Sequence, residues 1–102
     1  MRSKQLPRWR PPGPPTSVAI YPDPRRDCWR HTQSGPDMGI LNGYLNLPAS
    51  ALPAEVRQSA EIMLAEAGRT YYDLDLIIDW HPADAHGRIP GDVRAARAPY
   101  GP

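Results

Sequence analysis

The sequence predicts an α+β fold. It comprises a small antiparallel sheet, made of a short hairpin plus one long strand, packed on one amphipathic helix, with a Pro-rich extended N-terminal arm. Three observations predict it. Residues 50–68 carry apolar side chains at helical spacing, residues 70–80 alternate apolar and polar at strand spacing, and residues 1–15 hold five prolines, which suit neither element. The organisation that follows is an arm over 1–15, a core over 16–82 and a flexible or weakly ordered tail over 83–102.

In the arm, Pro7, Pro11, Pro12, Pro14 and Pro15 each fix φ and remove an amide donor, so an extended, largely polyproline II path is expected. Thr16–Tyr21 reads as a first strand, with Val18 and Ile20 alternating against Ser17, Ala19 and Tyr21 until Pro22 and Pro24 interrupt the run. Residues 22–38 are rich in Pro, Asp, Arg and Gly and read as a long loop. Within Ile40–Leu47, the pair Asn42-Gly43 is a two-residue hairpin signal between apolar flanks.

The helix is expected over Ser50–Gly68. Ser50 is placed to cap it, Pro53 suits the first turn, Glu55 complements the N-terminal dipole and Gly68 suits the position after the last turn. Leu52, Val56, Ala60, Met63, Leu64 and Ala67 fall on one stripe at 3.6-residue spacing, and Ile62 lies off it. Thr70–Trp80 follows as the long strand. Tyr72, Leu74, Leu76, Ile78 and Trp80 share one side, and Tyr71, Asp73, Asp75, Ile77 and Asp79 share the other. Beyond His81-Pro82 the pattern fades.

At 102 residues with a single cysteine, the chain fits one domain without an internal disulfide, as suits a reducing cytoplasm. No apolar run is long enough to cross a membrane as a helix, so no membrane association is expected. The formal charge is +1, yet residues 1–40 hold seven basic against three acidic side chains and the remainder five against eight. A basic arm on an acidic body follows. Eleven arginines beside one lysine, with abundant Ala, Gly and Pro, point to a GC-rich bacterial or phage genome.

Two constellations carry possible metal chemistry. Cys28 and His31 form a C-x2-H pair and His81 and His86 an H-x4-H pair, together the four ligands of a tetrahedral zinc site. Asp73 and Asp75, with Asp79 further along the same strand face, supply the paired carboxylates that hold Mg²⁺ for phosphoryl transfer. The stretch Asp73–Trp80 is similar to the metal-binding strand of minimal nucleotidyltransferases over eight residues. That resemblance implies Asp73 and Asp75 as metal ligands and Asp79 as the third carboxylate. The Gly-Ser turn that the family places upstream has no counterpart here, where a helix carries Gln58-Ser59.

The third constellation is the arm itself. Trp9 lies between Arg8 and Arg10, followed by Pro11 and Pro12 and then by Arg25, Arg26, Trp29 and Arg30, a combination suited to a protein groove or to phosphate contact with base stacking. The ordinary structural alternatives are a solvated tail for the arm and a wet strand face for the aspartates.

The resulting expectation is a small non-catalytic accessory protein with no cofactor, docking on a protein partner. Arg8, Trp9, Arg10, Pro11 and Pro12 in the arm, with Ile62 and Ile77 as apolar groups on polar faces, are its contacts. Homo-oligomerisation is compatible with this reading. A Mg²⁺-dependent phosphoryl- or nucleotidyl-transfer enzyme or nuclease using Asp73, Asp75 and Asp79 is the first alternative. A zinc-stabilised nucleic-acid-binding module, with nucleic acid reached through the basic arm, is the second.

Overall fold

Alternation of Val18 and Ile20 against Ala19 and Tyr21 does form the first strand, β1, over Ser17–Asp23. A computed structural model describes residues 13–96, and the statements that follow concern those residues. β1 turns through Pro24–Asp27 into β2, Cys28–Gly35, and β2 turns through residues 36–38 into β3, Gly39–Leu45. Both turns use a left-handed residue, Asp27 in the first and Gly39 in the second, which is how short hairpin loops match the strand twist. The segment expected to be a loop over 22–38 is therefore mostly sheet. Pro22 is accommodated because β1 pairs with its second neighbour only through Ile20, leaving no partner strand to miss the proline's donor.

Asn42 and Gly43 are not a turn. They lie in the middle of β3, opposite Thr32 and His31. Gly43 is needed for space, since a Cβ there would come within 2.5 Å of the His31 imidazole Nε2.

The helix α1 spans Pro53–Ala67. Its N-cap is Leu52 and not Ser50, and the Glu55 carboxylate accepts a hydrogen bond from the Leu52 amide at 3.0 Å. Gly68 does not end it either. The backbone continues right-handed through a π-type turn, Gly68–Tyr72, and stops at Asp73 in the left-handed region, which aspartate tolerates better than most residues. The strand expected from Thr70 is consequently shorter: β4 runs Asp75–Trp80. Its alternation holds, with Leu76 and Ile78 buried and Ile77 and Asp79 exposed.

The last strand, β5, spans Ile89–Ala96 and corrects the expected boundary at residue 82. It pairs with both β1 and β4, so the sheet is five-stranded and antiparallel in the order β3-β2-β1-β5-β4. Pro90 and Gly91 obscured this strand in the sequence. Pro90 precedes the β4 register, which begins at Gly91, and Gly91 has Ile78 Cγ2 within 2.6 Å of where its Cβ would stand.

Paired residues share a sheet face. On one face Val18, Ile20, Trp29, Leu45, Leu76, Ile78, Ile89 and Val93 meet Val56, Ala60 and Leu64 of the helix in one buried core. The three helical residues are fully buried at i, i+4 and i+8, while Leu52 of the expected stripe is 65% exposed. Helix α1 thus crosses from the β3 edge to the β4 edge beneath that face, and the architecture is α+β. No helix among the described residues is long and apolar enough to cross a membrane.

Residues 13–16, the end of the expected arm, are packed down. Gly13 and Pro15 are buried, the Tyr72 hydroxyl donates to the Gly13 carbonyl at 2.8 Å, and Thr16 bridges the Ser34 carbonyl and the Val93 amide.

Candidate functional site

The second face of the sheet has no helix on it, and three features concentrate there or at its borders. The first is an aromatic and arginine cluster built by register. Tyr21 in β1 is opposite Arg30 in β2, which is opposite Tyr44 in β3. The Arg30 guanidinium carbon lies 4.9 Å from the Tyr44 ring centre and 5.8 Å from that of Tyr21, within cation–π range of both. Arg26 from the β1–β2 turn stands 5.9 Å from the Tyr44 ring centre and donates to the Tyr44 hydroxyl at 2.7 Å. Asp23 faces Arg30 at 3.7 Å, and the Arg30 Nε is buried without a hydrogen-bond partner among the described residues.

The second feature is the β4 edge. β4 is an outer strand, and between it and α1 lies a groove of about 310 Å³ lined by Glu61, Ala65, Leu76, Ile77 and Ile78. Ile62, half exposed, follows Glu61 on the helix but is turned away from the buried Val56, Ala60 and Leu64, so of the two isoleucines singled out by the sequence it is Ile77 that lines the groove. The Trp80 indole donates to Glu61, one of the residues lining the groove, at 2.7 Å. Asp75 and Asp79 project from β4 to the helix-free face. Each has an arginine: Arg69 lies 3.6 Å from Asp75, and Arg94 Nε donates to Asp79 at 2.8 Å.

The third feature is the spread of the sequence-derived ligand sets. Asp73 closes the π-type turn, outside β4, while Asp75 and Asp79 are four residues apart, about 13 Å along an extended strand. Cys28 and His31 are three residues apart in β2 and so face opposite sides of the sheet. His31 is buried under Gly43 on the helix face, with Nδ1 3.4 Å from the Gln33 amide nitrogen, and burial holds its pKa below 6.5. His81 pairs with Asp92 at 2.7 Å, and His86 is exposed in the β4–β5 loop. The structure does not bring Cys28, His31, His81 and His86 together, and no group of three or more His, Cys, Asp or Glu side chains converges among the described residues. Arg8, Trp9, Arg10, Pro11 and Pro12 lie outside those residues.

In the β4–β5 loop, the Asp84 carboxylate accepts hydrogen bonds from the amides of His86 and Arg88 at 2.8 and 3.0 Å, which lowers its pKa. This fixes the loop that carries His86 and Arg88 beside Tyr21. Sequence reasoning missed the Tyr21–Arg30–Tyr44 cluster because its members come from three strands. Only the β2 register joins them, and the stretch that forms β2 reads locally as part of a loop.

These features define a class of molecule: a five-stranded antiparallel sheet with one face covered by a helix and the other presenting side chains from every strand. Comparisons with protein-family models, with curated proteins and with solved structures find no match for this chain.

Proposed function

We propose that the protein is a small non-catalytic binding module that docks a protein partner at the free edge of β4. The supporting observation is the groove between α1 and that edge, lined by Leu76, Ile78 and the exposed Ile77 of the strand and by Glu61 and Ala65 of the helix. An outer strand offers a row of backbone donors and acceptors to an extended segment, and pockets beside it read the segment's side chains. Sheet edges are ordinarily blunted by charge, proline or a bulge. β4 contains no proline and pairs continuously with β5, and its two carboxylates are each matched by an arginine. An apolar extended segment meets little electrostatic penalty there.

The test places a photo-crosslinking amino acid at position 77, and in parallel at position 42 on the opposite edge. A protein captured through position 77 is then purified and titrated calorimetrically against the wild-type chain and against Ile77→Lys and Ile62→Lys. Loss of binding by about tenfold or more in Ile77→Lys, with the melting temperature retained, is the expected result. Equal capture from positions 42 and 77, or unchanged affinity in both lysine variants, removes the β4 edge from the function.

A further inference from the structure

We propose that the sheet end carrying Tyr21 is a binding site for single-stranded nucleic acid, independent of the β4 docking edge. Two open clefts meet there, of about 410 and 420 Å³, and they share Tyr21 and Pro22 as their common wall. The first is lined by Arg25, Arg26 and Arg30 with Asp23, so three guanidinium groups face one carboxylate. The second is lined by Thr32, His86 and Arg88 with Asp84. Cations therefore flank an aromatic ring on both sides, along a line running from the β1–β2 turn to the β4–β5 loop.

The cluster is pre-organised for this chemistry. Arg30 lies within cation–π range of both Tyr21 and Tyr44, and Arg26 donates to the Tyr44 hydroxyl, so guanidinium groups and rings form one contiguous cluster. Arginine held this way loses little freedom when it contacts a phosphate, and its plane, like a tyrosine ring, accepts a stacked base. Asp23 is the acid among the three guanidiniums of the first cleft, while Asp84, held ionised by two loop amides, lies beside Arg88 in the second, so the excess of positive charge is concentrated in the first cleft. The Arg30 Nε, buried and without a hydrogen-bond partner among the described residues, marks a cation whose hydrogen bonding those residues leave incomplete.

Each cleft has the capacity for a nucleotide unit, and two clefts divided by one aromatic wall match successive units of a strand whose bases stack on either side. An acidic peptide would satisfy the charges yet leave the rings and most of the space unused. A rigid duplex keeps its bases inside the stack and offers the wall nothing to contact.

The experiment measures fluorescence anisotropy of a labelled ten-nucleotide RNA and its DNA counterpart across a salt series. Competitors are a hairpin duplex, a free nucleoside monophosphate and polyglutamate. Single strands are expected to bind with a log–log salt slope of about −2, the value for roughly three neutralised phosphates at 0.7 each. Arg25→Glu and Arg88→Glu are each expected to weaken binding about tenfold and to flatten the slope. Tyr21→Leu is expected to weaken it about tenfold with the slope unchanged, separating stacking from charge. Circular dichroism verifies the fold of each variant, and Ile77→Lys is expected to bind the strands as the wild type does. Displacement by polyglutamate as effective as by unlabelled RNA would reassign the site to an acidic protein segment. Displacement by the monophosphate at comparable concentration would reduce the site to a free-nucleotide pocket. Absence of saturable single-strand binding, or indifference to all three site substitutions, overturns the proposal outright.

Discussion

A methyl group added at Gly43 would meet the His31 imidazole, and this one contact explains two residues at once. Glycine is present because the ring of the facing strand lies across it, and the histidine is buried because it fills the space a side chain would have taken. Gly43→Ala is expected to destabilise the fold by about 1–3 kcal/mol, the usual cost of overpacking a filled site, read from urea denaturation. Burial of His31 has a pH consequence of definite sign. Its folded-state pKa lies below the unfolded value of 6.5, so the unfolded chain binds more protons over that interval. The associated stability is fully present above pH 6.5 and is lost as the pH falls from there toward the folded pKa. Melting temperatures measured from pH 7.5 down to 5.5 should decline in the wild type. The decline should be shallower in His31→Leu.

Among the elements, α1 shows most plainly how burial and not composition ranks its positions. Leu64 is fully buried and Ile62 is 55% exposed, two residues apart on the same helix. Leu64→Ala should cost about 3 kcal/mol in chemical denaturation, whereas Ile62→Ala should change stability by less than about 0.5 kcal/mol. If the two variants proved equally destabilising, the orientation of the helix on the sheet would be wrong. The helix was legible because Val56, Ala60 and Leu64 repeat at its period. β4 was legible because Leu74, Leu76, Ile78 and Trp80 fall on one side at strand spacing with Asp73, Asp75 and Asp79 on the other. β3 and β5 were not, because glycine and proline in them serve contacts with other strands: Gly43 with His31, and Gly91 with Ile78 and Trp80. A local reading takes such residues as breakers.

For the molecule as a whole, β5 makes the difference between a fragmentary sheet and a continuous one. It lies between β1 and β4, and without it the strand after the helix has no neighbour. A chain ending at Pro82 keeps the helix and four strands in sequence but loses Ile89 and Val93 from the core. It is therefore expected to show no cooperative thermal transition by circular dichroism, although the sequence alone placed the core's boundary there. The same placement of β5 anchors the segment entering β1, since the Val93 amide donates to the Thr16 carbonyl at 2.9 Å. Both candidate surfaces depend on it. The β4 groove needs β4 held at the edge, and the second of the Tyr21 clefts needs the loop that carries His86 and Arg88.

The amino-acid order by itself determined the α+β class, the helix and its buried stripe, the alternation of β4 and the outward placement of Ile62 and Ile77. Those properties depend on residues within a few positions of one another, where periodicity and backbone preference act. Tertiary structure alone decided that Pro22, Gly43, Pro90 and Gly91 belong to strands. It also separated Cys28 from His31 and assembled Tyr21, Arg30 and Tyr44 into a cluster. The physical reason is that register between strands distant in sequence is set by what fills the space between them, and no local pattern records that.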